Sequence, residues 1–180
     1  MSGKWLELLK EIAPRVIRVA VLHHPENPAW PGYLRVMETV APLQGIQLTT
    51  RGVHDAAEIE QVFAALASES RIGLIVAPDA VTTTQRERIV SLAARHRLPA
   101  VYPLRSYAMS GGLMSYGPDL PGQARQALTY VDRILKGAKP ADMPVQLPTT
   151  YEFVINLKTA RTLGLDVSPS IRLRATEVIE

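Results

Sequence analysis

A chain of 180 residues, 47% hydrophobic and 21% charged, has room for one sizeable core, or for one domain with an appendage, and is neither disordered nor fibrous. Its 20 Lys and Arg against 17 Asp and Glu are scattered, which gives no footprint for nucleic acid or for a membrane surface. The absence of Cys excludes disulfides, thiolate metal sites and a cysteine nucleophile, and leaves the compartment open.

The opening MSGKWLELLKEIAPR mixes charges with apolar residues and lacks a cleavage-type ending, so it does not read as a signal peptide. Trp5, Leu8, Leu9 and Ile12 share one helix face instead. Val16 to Leu22 is rich in β-branched residues and ends in the turn cluster HHPENP, the pattern of a first strand. Pro31 to Leu43 places Leu34, Met37, Val40 and Ala41 at helical spacing, with Gly45 as the stop. Ile46 to Thr50 reads as a second strand. Asp55 and Glu58 have capping-box spacing ahead of Ile59, Val62, Phe63 and Leu66. Ile72 to Ala77 is an almost unbroken apolar run, as expected of a strand covered on both faces. Gln85 to Arg97 carries a helical stripe of Ile89, Leu92 and Ala93, and Leu98 to Tyr102 is a further strand.

Strands alternating with helices of this length imply parallel pairing and right-handed crossovers, hence a three-layer α/β/α open, mainly parallel sheet. Ligands in such a sheet meet the loops beyond the carboxyl ends of the strands: His23 to Trp30, Pro78 to Thr84 and Pro103 to Ser110. The motif set narrows the chemistry. Gly111-Gly112 lacks the remaining Gly and Lys-Ser/Thr positions of a nucleotide loop, and no G-x-S-x-G elbow is present. The adjacent His23 and His24 point to opposite sides of a strand end and do not share a metal. His54 and His96 lie in polar contexts and read as surface residues. No cofactor is called for. Asp79, at the end of a buried strand, has two readings: a phosphoacceptor or catalytic acid in an α/β enzyme, or a simple turn or helix cap. A receiver-type phosphoacceptor needs an acidic pair after the first strand to hold Mg²⁺, where this chain has His23-His24.

The second half carries a resemblance. GGLMSYGPDL, YVDRILKGAKPADMPVQLPT, FVINLKTARTLGL and the final IRLRATEVIE resemble the C-terminal region of ABC-transporter substrate-binding proteins of the tryptophan/tyrosine-binding type. SGKWLELLKEIAPRVIRVAVLHHPENP and AARHRLPAVYPLRSYAMSGGL look like the same family's second lobe. The resemblance implies one lobe of a type I periplasmic binding protein, Rossmann/flavodoxin-like, whose first lobe lies outside this chain. It divides the chain into 1–116, the second ligand-binding lobe; 117–149, interlobe crossing segments with a helix that rests on the other lobe; and 150–180, a return strand and C-terminal helices. GGLMSYG would leave the lobe, Gly117-Pro118 would mark the crossing, and MPVQLPT (Met143 to Thr149) would bring the chain back to YEFVIN. In Pro121 to Lys136, an apolar face of Ala124, Ala127, Leu128, Val131, Ile134 and Leu135 would rest on the other lobe, or mediate a homodimer or helix swap in its absence.

The resemblance further implies an extracytoplasmic, non-enzymatic protein that binds a small organic solute, an amino acid by expectation, and is read by an ABC permease. Expected ligand contacts are His24, Asn27, Asp79, Thr82, Arg105 and Tyr107, with Ser115 near the crossing. Asp79 would pair with an ammonium, and Asn27, the Thr hydroxyls and backbone N–H groups would hold a carboxylate. Tyr102, Tyr107 or Trp30 would pack on the apolar part. HHPENPAW and PDAVTTT depart from the family's pattern, where relatives have an aromatic residue with Asn and an Asp-Asn pair, so the identity of the solute stays open.

Overall fold

A computed structural model describes residues 1–180. Its centre is a seven-stranded sheet of order β2-β1-β3-β4-β5-β6-β7, with β1 at Arg18–His23, β2 at Gln47–Gly52, β3 at Ile72–Val76, β4 at Ala100–Tyr102, β5 at Met114–Pro118, β6 at Tyr151–Asn156 and β7 at Glu177–Ile179. All neighbours pair in parallel except β5 and β6, which run antiparallel from Met114↔Ile155 to Pro118↔Tyr151. The helices are α1 (Ser2–Ile12), α2 (Trp30–Val40), α3 (Ala56–Leu66), α4 (Ala80–Thr84), α5 (Arg86–Arg95), α6 (Arg105–Met109), α7 (Leu120–Leu135), α8 (Leu157–Thr162) and α9 (Pro169–Arg174). None is long and apolar enough to cross a membrane.

The pleat of β1 shows how the layers form. Val19 and Val21 join one buried cluster with Trp5, Leu9, Met37 and Ile171, whereas Ala20 and Leu22 join the opposite cluster with Ile59, Phe63, Ile89 and Tyr107. Helices α1, α2, α8 and α9 therefore cover one face, and α3, α5 and α6 the other. Every residue of β3 is buried, as its unbroken apolar run requires. Asp55 caps α3 by accepting from the Ala57 and Glu58 N–H groups, while Glu58 reaches the His54 N–H rather than closing the box on Asp55 itself. Three crossovers re-enter the sheet through a left-handed residue: Gly45 (φ 63°), Arg71 (φ 58°) and Arg97 (φ 52°). A side chain in this conformation costs about 1–2 kcal/mol, which Gly avoids and the two arginines do not.

Several boundaries differ from the sequence reading. The first strand starts at Arg18, because Val16 is taken up in a turn to Ala13. Leu98 closes the end of α5 by donating to Ala93, so β4 begins only at Ala100. The expected loops after β3 and β4 contain α4 and α6, and Gln85 separates α4 from α5. The C-terminal region ends in β7 as well as helices.

Helix α7 stands apart, with no buried residue. Leu128, Val131 and Leu135 are 65%, 50% and 82% exposed. Its neighbour is the return segment, where Val145 and Leu147 are themselves exposed and Pro144 accepts a hydrogen bond from the Tyr130 hydroxyl at 2.7 Å. The expected apolar face is therefore present and uncovered by this chain's own sheet.

Candidate ligand-binding site

Strand order reverses at β1, with β2 on one side and β3 on the other, which opens a crevice beyond the carboxyl ends of β1 and β3. Asn27 and Asp79 meet there. Asn27 Nδ2 donates to the Pro78 carbonyl and to Asp79 Oδ2, both at 3.0 Å, while its Oδ1 accepts from the Ala29 N–H at 2.9 Å. Asp79 Oδ1 accepts from Val81 N–H at 2.7 Å and so caps α4. A carboxylate has about four acceptor positions, so the half-buried Asp79 keeps capacity for a donor from outside.

The other expected contacts are placed differently. Thr82 is fully buried, its hydroxyl donating to the Ala77 carbonyl at 2.9 Å, so it anchors α4 beneath the crevice. Tyr107 is equally buried, stacked on Tyr102 at 5.0 Å with its hydroxyl enclosed, and burial pushes both phenols above their ordinary range. Arg105, at the start of α6, is held by Glu152 of β6 at 3.0 Å and Glu177 of β7 at 2.6 Å. Ser115 is 1% exposed with its hydroxyl enclosed and unpartnered. Trp30 and Tyr102 are likewise in the core rather than on the rim. His24, Asn27, Asp79 and the ion-paired Arg105 are the expected contacts that stay partly exposed at this edge.

His24 meets the His54 ring edge-on at 5.3 Å, and His54 Nδ1 lies 2.9 Å from Glu58 Oε2, which raises the His54 pKa. His54, Asp55, Val81 and Gln85 line an open hollow of about 450 Å³ beside the crevice. His54 is exposed, as expected, and its proximity to His24 follows from β1 pairing with β2 up to His23↔Gly52. Tyr116 and Tyr151 stack at 5.6 Å with planes 8° apart, on the antiparallel pair β5 and β6. Nothing in either local pattern marks that pair.

His23 stacks flat on Trp30, with centroids 3.9 Å apart, and its Nδ1 is buried without a partner. Burial lowers its pKa. A base whose folded pKa is depressed binds fewer protons folded than unfolded, so its contribution is complete above the unfolded value of about 6.5 and is lost as pH falls through it. His54 acts oppositely, its contribution being lost as pH rises, but it is exposed and screened. The urea midpoint is expected to fall between about pH 7 and pH 5.5, and His23→Phe, which keeps the stack on Trp30, is expected to flatten that slope. An equal slope in the variant would assign it elsewhere.

Comparison with known proteins places this geometry in a family. A family model described as ABC transporter substrate binding protein matches residues 2–179. A conserved domain protein from Vibrio cholerae is 25% identical, with a TM-score of 0.88 over 98% of this chain and 60% of its own. An ABC domain from Streptococcus pneumonia, solved in complex with L-Trp, is also 25% identical, with a TM-score of 0.89 over 99% of this chain and 60% of its own. The open, ligand-free form of a substrate-binding protein with adhesive properties from Clostridium difficile, 19% identical, shares the fold with a TM-score of 0.70 over 98% of this chain and 59% of its own. No curated protein matches the chain. This chain thus spans about three fifths of each of those structures. Over that span, from α1 to β7, it belongs to the ABC transporter substrate-binding protein family.

Proposed function

We propose that this chain is the second lobe of a solute-binding protein that captures an amino acid in an extracytoplasmic compartment and presents it to an ABC permease. The observation that carries this reading is the Asn27–Asp79 junction at the switch crevice of a lobe that matches, over 99% of its length, a domain complexed with L-Trp. The segments around the crevice, 23–30, 53–58 and 77–84, contain Glu26, Asp55, Glu58 and Asp79 and no Lys or Arg. That field suits an ammonium group, and Asp79 is the acid whose second oxygen points at the crevice side, toward Asn27. Backbone N–H groups and a second lobe would complete the carboxylate's contacts, and ligand would favour the closed pair of lobes by touching both.

Under this reading 117–149 carries the two interlobe crossings, tied at their base by Asp119 N–H donating to the Thr150 carbonyl at 3.2 Å. The uncovered face of α7 is the surface the other lobe would receive. A homodimer or helix exchange through Pro121 to Lys136 rests on that same face and has no further support. The enzyme or phosphoacceptor reading of Asp79 is not favoured, since the family binds substrates and one oxygen of Asp79 is engaged as a helix cap.

The test separates cap from ligand. Asp79→Asn keeps an oxygen for the Val81 cap but sets its NH2 against Asn27 Nδ2, so it is expected to cost about 1 kcal/mol of stability, leaving the lobe folded, while removing the charge. In an NMR titration of this chain with L-tryptophan and other L-amino acids, the amides of 24–30 and 78–84 are expected to shift, and the variant's apparent Kd to rise about tenfold, the worth of a charge-assisted bond. Shifts confined to other segments, or unchanged affinity in Asp79→Asn, would overturn the assignment.

A further inference from the structure

The opposite edge of the sheet, where β1, β3 and β4 begin, is built differently. A cavity of about 670 Å³ opens there, between the end of α1 and the loops entering β3 and β4. Arg15, Arg71, Arg97 and His96 line it, over an apolar floor that includes Ile12, Leu98 and Leu165. The carboxylates on its wall are mostly spoken for by arginines outside it. Glu69 is held by Arg18 at 3.0 Å and Arg51 at 3.6 Å, and Glu11 by Arg174 at 2.5 Å. Asp166 is the remaining acid. Against it stand three guanidinium groups in no ion pair: Arg71 spends only its Nε, on the Arg15 carbonyl at 3.1 Å, and Arg15 and Arg97 make no side-chain hydrogen bond.

The backbone supplies an independent observation. Arg71 and Arg97 are the only non-Gly residues with positive φ, and both border this cavity. The equivalent entry to β2 uses Gly45, and Gly164, also on the cavity wall, is left-handed too. A position that Gly fills without strain and Arg fills with strain keeps Arg when the side chain is needed. Two such positions at one mouth, both basic, point to a shared anion.

We propose that this cavity is a second binding site, for a phosphate group carried on a small organic anion or a lipid head. Guanidinium forks match phosphate oxygens in pairs, His96 adds a ring N–H donor, and the apolar floor takes the carbon skeleton beside the phosphate. The charge layout separates the two edges of the sheet: the acidic edge favours an ammonium-bearing solute, and the arginine edge favours an anion.

The experiment is a calorimetric titration of this chain with inorganic pyrophosphate at low salt, beside co-sedimentation with phosphatidylcholine vesicles containing phosphatidylglycerol. The key variant is Arg71→Gly with Arg97→Gly, which relaxes both left-handed residues and so is expected to melt no lower than the parent. Arg15→Gln is a second variant with no backbone consequence. Saturable pyrophosphate binding that weakens about tenfold or more in these variants, with L-tryptophan shifts unchanged, supports the site and a soluble phosphate. Vesicle binding alone, lost in the same variants, supports the site and a lipid head. Binding of neither probe overturns it, as does an equal loss in Arg35→Ala with Arg133→Ala, which removes the same charge elsewhere.

Discussion

Replacing Gly117 by alanine is expected to destabilise the lobe by about 3 kcal/mol or more, the upper range for overpacking. A Cβ at this position would stand 1.7 Å from the Pro103 carbonyl oxygen and 2.9 Å from its carbon, both backbone atoms. No rotamer change relieves such a clash; β5 or the loop into α6 has to move. Either movement spreads, because that loop leads directly to Arg105, whose guanidinium holds Glu152 and Glu177, and to the buried Tyr102–Tyr107 stack. Gly32→Ala makes the control. Nothing lies within 4 Å of a Cβ there, the residue is helical, and the same chemical change is expected to stabilise by about 0.5–1 kcal/mol. Urea unfolding of the pair is thus expected to move in opposite directions. A Gly117→Ala midpoint that matches the parent would show that the end of β5 is loose enough to absorb a methyl group, and with it the picture of a tightly set strand exit would go.

The layered sheet was readable because each β-branched run was followed by a helical stripe and a breaker, and burial on both faces left β3 with no polar residue to obscure it. The uncovered face of α7 was readable for the same reason, since periodicity reports what a helix could bury whether or not a partner is present. The site was less legible. Helices of five residues complete little more than one turn, so α4 and α6 left no periodic trace, yet they turn Thr82 and Tyr107 inward and set Arg105 at a helix start. Arg105 finds its acids 47 and 72 residues away, and Asn27 finds Asp79 at a separation of 52. No local pattern encodes such distances. What sequence does encode is that all three sit just past strand ends; which side chains there turn into the core, as Thr82 and Tyr107 do, is decided by the short helices that carry them. The two left-handed arginines were invisible for a further reason: only backbone dihedrals reveal that Arg stands where Gly would be unstrained.

Trp5→Ala is expected to cost about 3–5 kcal/mol in packing and transfer, before any hydrogen bond is counted. Trp5 is fully buried in the larger cluster, with Tyr33 tilted against it at 5.6 Å. Its indole N–H donates to the Tyr116 carbonyl at 2.7 Å, joining the first helix to the middle of β5. Losing that donor adds about 1 kcal/mol, so the alanine variant approaches the whole stability of a marginal domain of about 5–15 kcal/mol. Trp5→Phe separates the two contributions. It keeps most of the aromatic volume and removes the N–H, and is expected to cost about 1–2 kcal/mol. The two variants should also differ in where the structure loosens. Hydrogen exchange in Trp5→Phe is expected to quicken first at Tyr116 and Gly117, next to the freed carbonyl, whereas Trp5→Ala exposes the whole face under α1 and α2. If phenylalanine leaves exchange at β5 untouched, the indole contact is only packing, and β5 is positioned by β4, β6 and the close approach of Pro103 to Gly117.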